Sequence, residues 1–290
     1  MKSLDSLNLS MRKPEEPKRL DIPLVSIVAP AYNEVAIIEN NLITLCQYME
    51  TLEDQYSWEM IIVNDGSTDQ TGDLAEAFAC GRENIRVFHH AVNSGLGQAL
   101  RTAFNQCRGD YIVTMDVDLS YSPDHIESLL YTIGETKADV VIASPYMKGG
   151  KTSNVPLKRL LLSKCANRFL SFFASGKLST LTGMVRVYEG KLLKKICLKA
   201  NGFDINTEII YKAWLLRSRI IEIPAHLDWS AQRDIKRNRK SSFRILRTAL
   251  NYFSSGFMFK PFMFFRLSVF AFAVISLYSV AWFIVSAFAH

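Results

Sequence analysis

Through its first half the chain alternates short apolar runs rich in β-branched residues with longer stretches whose apolar residues recur every three or four positions. Residues 24–29 (LVSIVA) form the first run, halted by Pro30, and residues 35–49 follow with Ile37, Ile38, Leu42, Leu45 and Met49 at helical spacing. Residues 60–63 (MIIV) form the second run, cut off by Asn64-Asp65-Gly66-Ser67, and residues 70–80 read as a helix with Asp69 as its N-cap. Runs at 85–88, 111–115 and 139–143, with helices at 96–107 and from Asp124, continue the alternation. Such alternation predicts βαβ units, a mostly parallel sheet and right-handed crossovers. The expectation is an α/β fold whose part up to about Ser144 is a Rossmann-like nucleotide-binding layer.

Beyond Ser144 the pattern loosens. Residues 155–173 predict an amphipathic helix bearing Lys158, Arg159, Lys164 and Arg168, residues 183–188 a strand, 206–217 a helix, and 220–223 a strand ended by Pro224. From Phe243 aromatic and basic residues mix, as in an interfacial amphipathic helix or pair, with a packed core helix the competing reading. Residues 267–289 (LSVFAFAVISLYSVAWFIVSAFA) then carry no charge. About 20 such residues at about 1.5 Å each cross a bilayer's hydrocarbon core, so a C-terminal transmembrane helix is expected.

Charge changes the picture by giving that span a direction. The net charge of +6 owes much to Arg233, Lys236, Arg237, Arg239, Lys240, Arg244 and Arg247 upstream of the span. Basic flanks stay on the cytoplasmic side and attract anionic headgroups. The partner expected for this stripe is therefore the membrane, with no nucleic acid. Residues 1–21 are polar, with no apolar run of a signal peptide, and are expected to be flexible. The five cysteines show no CxxC spacing, which argues against a disulfide framework or a zinc site. Four segments result: a flexible 1–21, a catalytic domain 22–232, a juxtamembrane 233–266 and the span 267–289.

Candidate chemistry gathers at strand ends. Asp116-Val117-Asp118 follows YIVTM directly, and side chains two apart on an extended segment point the same way. Asp116 and Asp118 can thus face one hard cation, Mg²⁺ or Mn²⁺, that shares its shell with a substrate phosphate. An acidic loop closing a strand is the plainer reading. Pro30 to Glu34 follows the first strand and Asn64 to Asp69 the second, and ligands of open α/β sheets bind at this edge. Glu34 and Asp65 can meet a nucleoside's base and ribose, with Tyr32 as a flat wall. Asn93-Ser94-Gly95-Leu96-Gly97 invites a dinucleotide reading that fails, because Leu100 stands where the third glycine belongs. A close backbone approach beside sugar or phosphate is expected there instead.

The runs PAYNE, VNDGSTDQT, NSGLGQAL and GDYIVTMDVDLS resemble the family 2 glycosyltransferases of GT-A fold, and more narrowly the polyprenyl-phosphate sugar synthases of the dolichol-phosphate mannose synthase type. The resemblance extends from about Leu24 to Ile223. It implies that Pro30, Tyr32, Glu34, Val63 and Asp65 cradle the nucleoside, and that Asp116, Val117 and Asp118 hold metal and diphosphate. It also implies that Arg159 and Ser163 meet the lipid phosphate, with Arg186 from the segment TGMVRVY, and that Glu208 stands beside the sugar. Asp118, Arg159 and Glu208 are the catalytic candidates it yields.

Several positions depart from the family pattern. Asn64 replaces the first of two aspartates, Ser120 a glutamine and Pro145 an arginine, with Lys148 as the compensating cation. Arg239 and Lys240 are the candidates for a basic lid. These departures point to a divergent branch with altered sugar or nucleotide choice. The activity implied is transfer of a hexose from a nucleotide-diphosphate sugar to a polyprenyl phosphate, with inversion, on the cytoplasmic face. A glycan or glycolipid hydroxyl as acceptor, and a catalytically silent membrane scaffold, are the competing readings. A homo-oligomer and a flippase partner for the product stay open.

Overall fold

The computed structural model of the protein describes residues 22–173 and 178–230, together with 268–269, 272–279 and 282 near the C-terminus. Segment 1–21, the stretch 233–266 with Arg239 and Lys240, and most of the expected span lie outside the described residues. Within that span, residues 272–279 are helical and their side chains exposed. Among the described residues, no helix is long and apolar enough to cross a membrane.

The expected alternation is present. In chain order the elements are β1 (Leu24–Ala31), α1 (Ile38–Glu50), β2 (Ser57–Asn64), α2 (Thr71–Ala79), β3 (Ile85–His89), α3 (Leu96–Gln106), β4 (Tyr111–Thr114), α4 (Asp124–Thr136) and β5 (Val140–Ser144). Then come β6 (Lys151–Ser153), α5 (Leu157–Phe173), β7 (Arg186–Glu189), α6 (Gly190–Lys195), α7 (Ile205–Leu215), β8 (Ile220–Pro224) and β9 (His226–Asp228). Seven strands make one sheet in the order β3-β2-β1-β4-β7-β5-β8. All neighbours are parallel except β7, which runs antiparallel to both β4 and β5.

Side-chain parity builds the two cores. Val25, Ile27 and Ala29 of β1 face one side, where Ile38, Leu42, Leu45 and Met49 of α1 and Ile126, Leu129 and Ile133 of α4 cover them. Val28 faces the other side with Ile61 and Val63 of β2, beneath Ala99, Leu100 and Ala103 of α3 and Ile205, Ile209 and Ala213 of α7. At roughly 1.5–3 kcal/mol per fully buried aliphatic side chain, this packing outweighs any local propensity. Sheet layers covered on both faces favour near-continuous apolar strands, and within β1 and β2 the buried exceptions Ser26 and Glu59 bond each other (2.6 Å).

Two local differences from expectation matter for the site. Pro30 does not end β1, which runs on to Ala31. The residue pairs with Val63 of β2, and its missing N–H falls on the β4 side, where pairing has already stopped at Val28 and Thr114. The second is a small parallel sheet of β6 and β9, joined to the main body by a Tyr121–Leu227 bridge. It folds the chain after β8 back over the ends of β4 and β5.

Candidate active site

The C-terminal ends of β1, β2 and β4 surround a cavity of about 650 Å³. One wall comes from these strand ends, the other from α5 and the loop before β7. Of the residues singled out in the sequence, Pro30, Tyr32, Glu34, Asp65, Asp116, Asp118, Ser120, Arg159 and Ser163 all line it.

The strand-end wall is tied together by its own backbone. Asn33 adopts a left-handed conformation (φ 54°), its N–H donates to Ser67 Oγ (3.0 Å) and its Oδ1 accepts from Thr68 N–H (2.8 Å). Glu34 N–H donates to Thr71 Oγ1 (2.8 Å). Asp65 is 4% exposed. Its Oδ1 accepts from Ser94 N–H (2.9 Å) and from His90 Nδ1 (2.7 Å), and its Oδ2 from Gly95 N–H (2.8 Å). Gly66 allows the same loops to touch, since a Cβ there would lie 2.2 Å from the Val92 carbonyl carbon.

Asn64 gains a physical account here. Its Oδ1 accepts from Ser67 N–H (3.1 Å), and its Nδ2 donates to His89 Nδ1 (3.0 Å), whose Nε2 meets Glu76 (2.8 Å). An amide serves as acceptor and donor at once, which an ionised carboxylate cannot do. The substitution thus braces the turn rather than removing a group from the cavity, whose lining includes Asp65 and not Asn64.

The two acids after β4 lie on a turn, not on an extended strand. β4 stops at Thr114, Leu119 N–H donates to Asp116 O (3.1 Å), and Leu119 takes φ 47°. Ser120 N–H donates to Asp118 Oδ1 (3.0 Å), while Asn41 of α1 fixes the turn by donating to Val117 O (2.7 Å). Val117 is buried in the core, so Asp116 and Asp118 share the cavity side of the turn. Tyr121 lines the cavity beside them, its hydroxyl pushed to higher pKa by burial and then by the Asp116 charge, so it stays protonated.

The opposite wall starts at α5. The Arg159 guanidinium lies 4.0 Å over the Trp229 ring, and Trp229 N–H is held by Ser153 O (3.1 Å) at the end of β6. Ser163 Oγ accepts from Tyr146 Oη (2.8 Å). Below them, the loop at residues 179–184 is gripped from three directions. Glu222 accepts from Ser179 and Thr180 N–H (2.8 and 2.7 Å), and Asn167 Oδ1 accepts from Leu181 and Thr182 N–H (2.7 and 3.1 Å). Arg186 donates to Leu181 O (2.5 Å) and to Asn206 O (2.7 Å).

Several expectations are corrected by this geometry. Arg186 is fully buried, lies outside the cavity lining and donates to two main-chain carbonyls, which shapes the loop, while its Nε finds no partner among the described residues. Glu208 does not line the cavity. It is 5% exposed, accepts from Lys199 and Ala200 N–H (3.0 and 2.8 Å) and pairs with Lys212 (2.6 Å). Burial raises its pKa, but the Lys212 bond and those backbone donors override that and hold the carboxyl below its usual range.

Val63 lies in the core, and Lys148 is exposed at a turn closed by the Gly150 N–H to Met147 O bond, outside the cavity lining. Lys158 and Lys164 are exposed and do not line the cavity either. The close backbone approach at Gly95 and Gly97 is to the chain's own loop: added Cβ atoms would meet Asn201 O and Ala200 O at 2.4 and 2.2 Å.

Sequence reasoning missed Asn167, Glu222, Tyr146 and Trp229. A signal existed for one of them, since Glu222 interrupts an otherwise apolar strand, where a partly buried charge calls for partners.

An α/β domain with two acids at a strand-end turn facing a basic, hydroxyl-bearing helix defines a transferase-like site of GT-A type. The Glycosyl transferase family 2 model matches residues 26–197, more than half of the chain, and the chain belongs to that family. It is 30% identical over 208 residues to the Polyprenol monophosphomannose synthase of Mycolicibacterium smegmatis, covering 68% of this chain and 75% of that protein. It is 29% identical over 226 residues to the Dolichol-phosphate mannosyltransferase of Pyrococcus furiosus, covering 77% of this chain. The chain spans less than two thirds of the length of two relatives it matches, 62% of the Pyrococcus protein and 34% of another.

Among solved structures, glucosyl-3-phosphoglycerate synthase from Mycobacterium tuberculosis in complex with Mn²⁺, uridine-diphosphate and glucosyl-3-phosphoglycerate superposes with a TM-score of 0.54. That likeness, at 21% identity over 71% of this chain and 70% of the other, shows the GT-A-like α/β fold.

Proposed function

We propose that this glycosyltransferase moves a hexose, with mannose the first candidate, from a nucleotide-diphosphate sugar to a polyprenyl phosphate at the cytoplasmic face of a membrane. One observation carries the reading. The acids of the β4 turn and the Arg159–Ser163 pair of α5 line the same cavity, so a leaving diphosphate and an anionic acceptor each find their chemistry across one space. The names of the relatives supply the acceptor class.

Asp116 and Asp118 offer oxygen ligands only, which suits Mg²⁺ or Mn²⁺, and among the described residues no third His, Cys, Asp or Glu joins them in a metal-binding group. Diphosphate oxygens and water would complete the shell. A divalent ion bound there supplies charge neutralisation for the leaving diphosphate.

The chain's own residues do the rest. Tyr32 and the braced Asp65 loop receive the nucleoside. Arg159 and Ser163 orient the acceptor phosphate for in-line attack on the anomeric carbon. A phosphate ionised near neutral pH needs little general-base help, and among the described residues the wall opposite the acids carries no carboxylate or histidine. One direct displacement inverts the anomeric centre. The basic stretch at 233–266 and the apolar 267–289 hold the domain against the bilayer that contains the acceptor.

The test is a donor screen on the full chain in membranes, with Mg²⁺ or Mn²⁺ and undecaprenyl phosphate. The expected product is a lipid-linked sugar released by mild acid, and Arg159→Ala is expected to raise the acceptor KM about tenfold or more. Sugar appearing only on a neutral glycolipid hydroxyl, or no donor turnover with any nucleotide sugar, defeats the reading.

A further inference from the structure

The helix that carries Arg159 and Ser163 has a second face with no assigned role. α5 is 17 residues long, and its sequence LKRLLLSKCANRFLSFF contains no Asp or Glu. The first turns of α1, α2, α4 and α7 carry acids, whereas α3 and the short α6 are acid-free like α5 but much shorter and largely buried on one face. The inner face of α5 is settled by Asn167 and Leu170, 1% and 0% exposed. On the outer face Leu157, Leu161 and Leu162 are 75%, 63% and 42% exposed, and Lys158, Lys164, Cys165 and Arg168 are exposed among them. Leu157, Leu161, Lys164 and Arg168 follow one another at i, i+4, i+7 and i+11, which is a single stripe. Isolated exposed leucines need no explanation, but three interleaved with cations on an acid-free helix do.

Resting on the reading that the acceptor is a lipid phosphate, we propose that this outer face of α5 docks on the bilayer itself. The leucines enter the acyl boundary, and Lys158, Lys164 and Arg168 meet anionic headgroups. Charge decides the occupant. In a two-fold contact with a second copy the same patch would meet itself, opposing like charges, whereas an anionic surface attracts each basic residue about fivefold in partition. Docking there sets the cavity wall bearing Arg159 and Ser163 next to the membrane, where an acceptor phosphate emerges from the lipid.

Cys165 on the stripe makes the test direct. In a Cys80→Ser/Cys197→Ser chain the remaining described thiols, Cys46 and Cys107, are buried and pushed up by burial to about 11 and about 12, so a maleimide fluorophore goes to Cys165. The full chain is placed in vesicles of phosphatidylcholine with or without phosphatidylglycerol. Quenching by lipids with nitroxides high on the acyl chain, stronger with phosphatidylglycerol, is expected. Quenching by aqueous iodide alone overturns the proposal, as does label-to-label self-quenching that persists in detergent, the mark of a second copy.

A functional arm uses Leu157→Asp/Leu161→Asp. Transfer to undecaprenyl phosphate in vesicles is expected to fall about tenfold, while transfer to a short, water-soluble prenyl phosphate is unchanged. Full retention of the vesicle reaction overturns the proposal. If the unsubstituted chain uses neither lipid phosphate, the acceptor reading has failed, and the quenching arm still decides the docking face.

Discussion

The two walls of the cavity are built on different principles. On the strand-end side, ligand-facing carboxylates are pinned by bonds from the chain itself: Asp65 takes two backbone N–H groups and a histidine, and Asp118 takes the Ser120 N–H. On the α5 side, Arg159 is an exposed side chain lying over the Trp229 ring, on a helix whose outer face is open. Carboxylates pinned in this way suit a cation-bridged diphosphate of constant shape, since they need no reorganisation as the leaving charge appears. A long flexible side chain suits an acceptor whose phosphate arrives with a mobile lipid tail. The difference teaches that rigidity has been placed where charge changes and compliance where position varies.

The sharpest way to break that contrast is on the rigid side. Asp118→Ala is expected to lower turnover about 100- to 1,000-fold, and removal of divalent ions with EDTA is expected to lower it comparably. Asp118→Asn keeps an oxygen for Ser120 N–H, so it preserves the turn while removing the charge. Equal losses in the two variants assign the effect to charge, measured as kcat at saturating nucleotide sugar. Undiminished turnover in either removes Asp118 from the chemistry.

Next in size is the floor between the walls. Arg186→Met leaves Leu181 O without a donor in a buried setting, costing about 1–3 kcal/mol, while Asn206 O, inside α7, keeps its helical N–H donor. The urea midpoint is expected to fall by an amount equivalent to about 1–3 kcal/mol, with kcat falling because Thr182 and Gly183 lose their support. An acceptor KM that rises at unchanged stability would return Arg186 to the phosphate site.

These cases show what the sequence could reveal. Strand-end placement made Asp65, Asp116 and Asp118 legible, because each follows a short continuous apolar run bounded by turn residues, which marks where a strand meets the sheet edge. Arg186 and Glu208 were misplaced because a resemblance gives a position in a motif, while burial depends on what packs from elsewhere. The partners that claimed Arg186 are carbonyls at 181 and 206, and those that claimed Glu208 are N–H groups at 199 and 200. Backbone partners leave no trace in side-chain identity. The β6–β9 sheet was unreadable for a related reason: three-residue strands carry too few alternations to register as a period.

Glu208 supplies a third, smaller test, confined to the loop that abuts α3. Its lowered pKa means its contribution is complete above the ordinary value of 4.5 and drains away as pH falls from there toward its folded-state value. Glu208→Gln is expected to cost about 1–2 kcal/mol near pH 7. The gap between the two proteins should close in acid below that value. A gap that stays constant from pH 7 to pH 3 would mean the carboxylate charge contributes nothing, and that packing alone holds residues 199–204.

The smallest effect tests the compliant side. If Trp229 merely fills space, Trp229→Leu leaves acceptor use unchanged. If the indole aims Arg159, the variant loses an attraction worth about 0.5–1 kcal/mol at an exposed site, which appears as a rise of about two- to fivefold in the acceptor KM with the donor KM unmoved. Trp229→Phe keeps a ring face and should recover most of the loss. The decisive comparison is the double-mutant cycle: in an Arg159→Ala background, Trp229→Leu should have no further effect, because the group it positions is gone. Additive losses would show that Trp229 acts on the lipid directly, and the soft wall would then have two independent contacts instead of one steered cation.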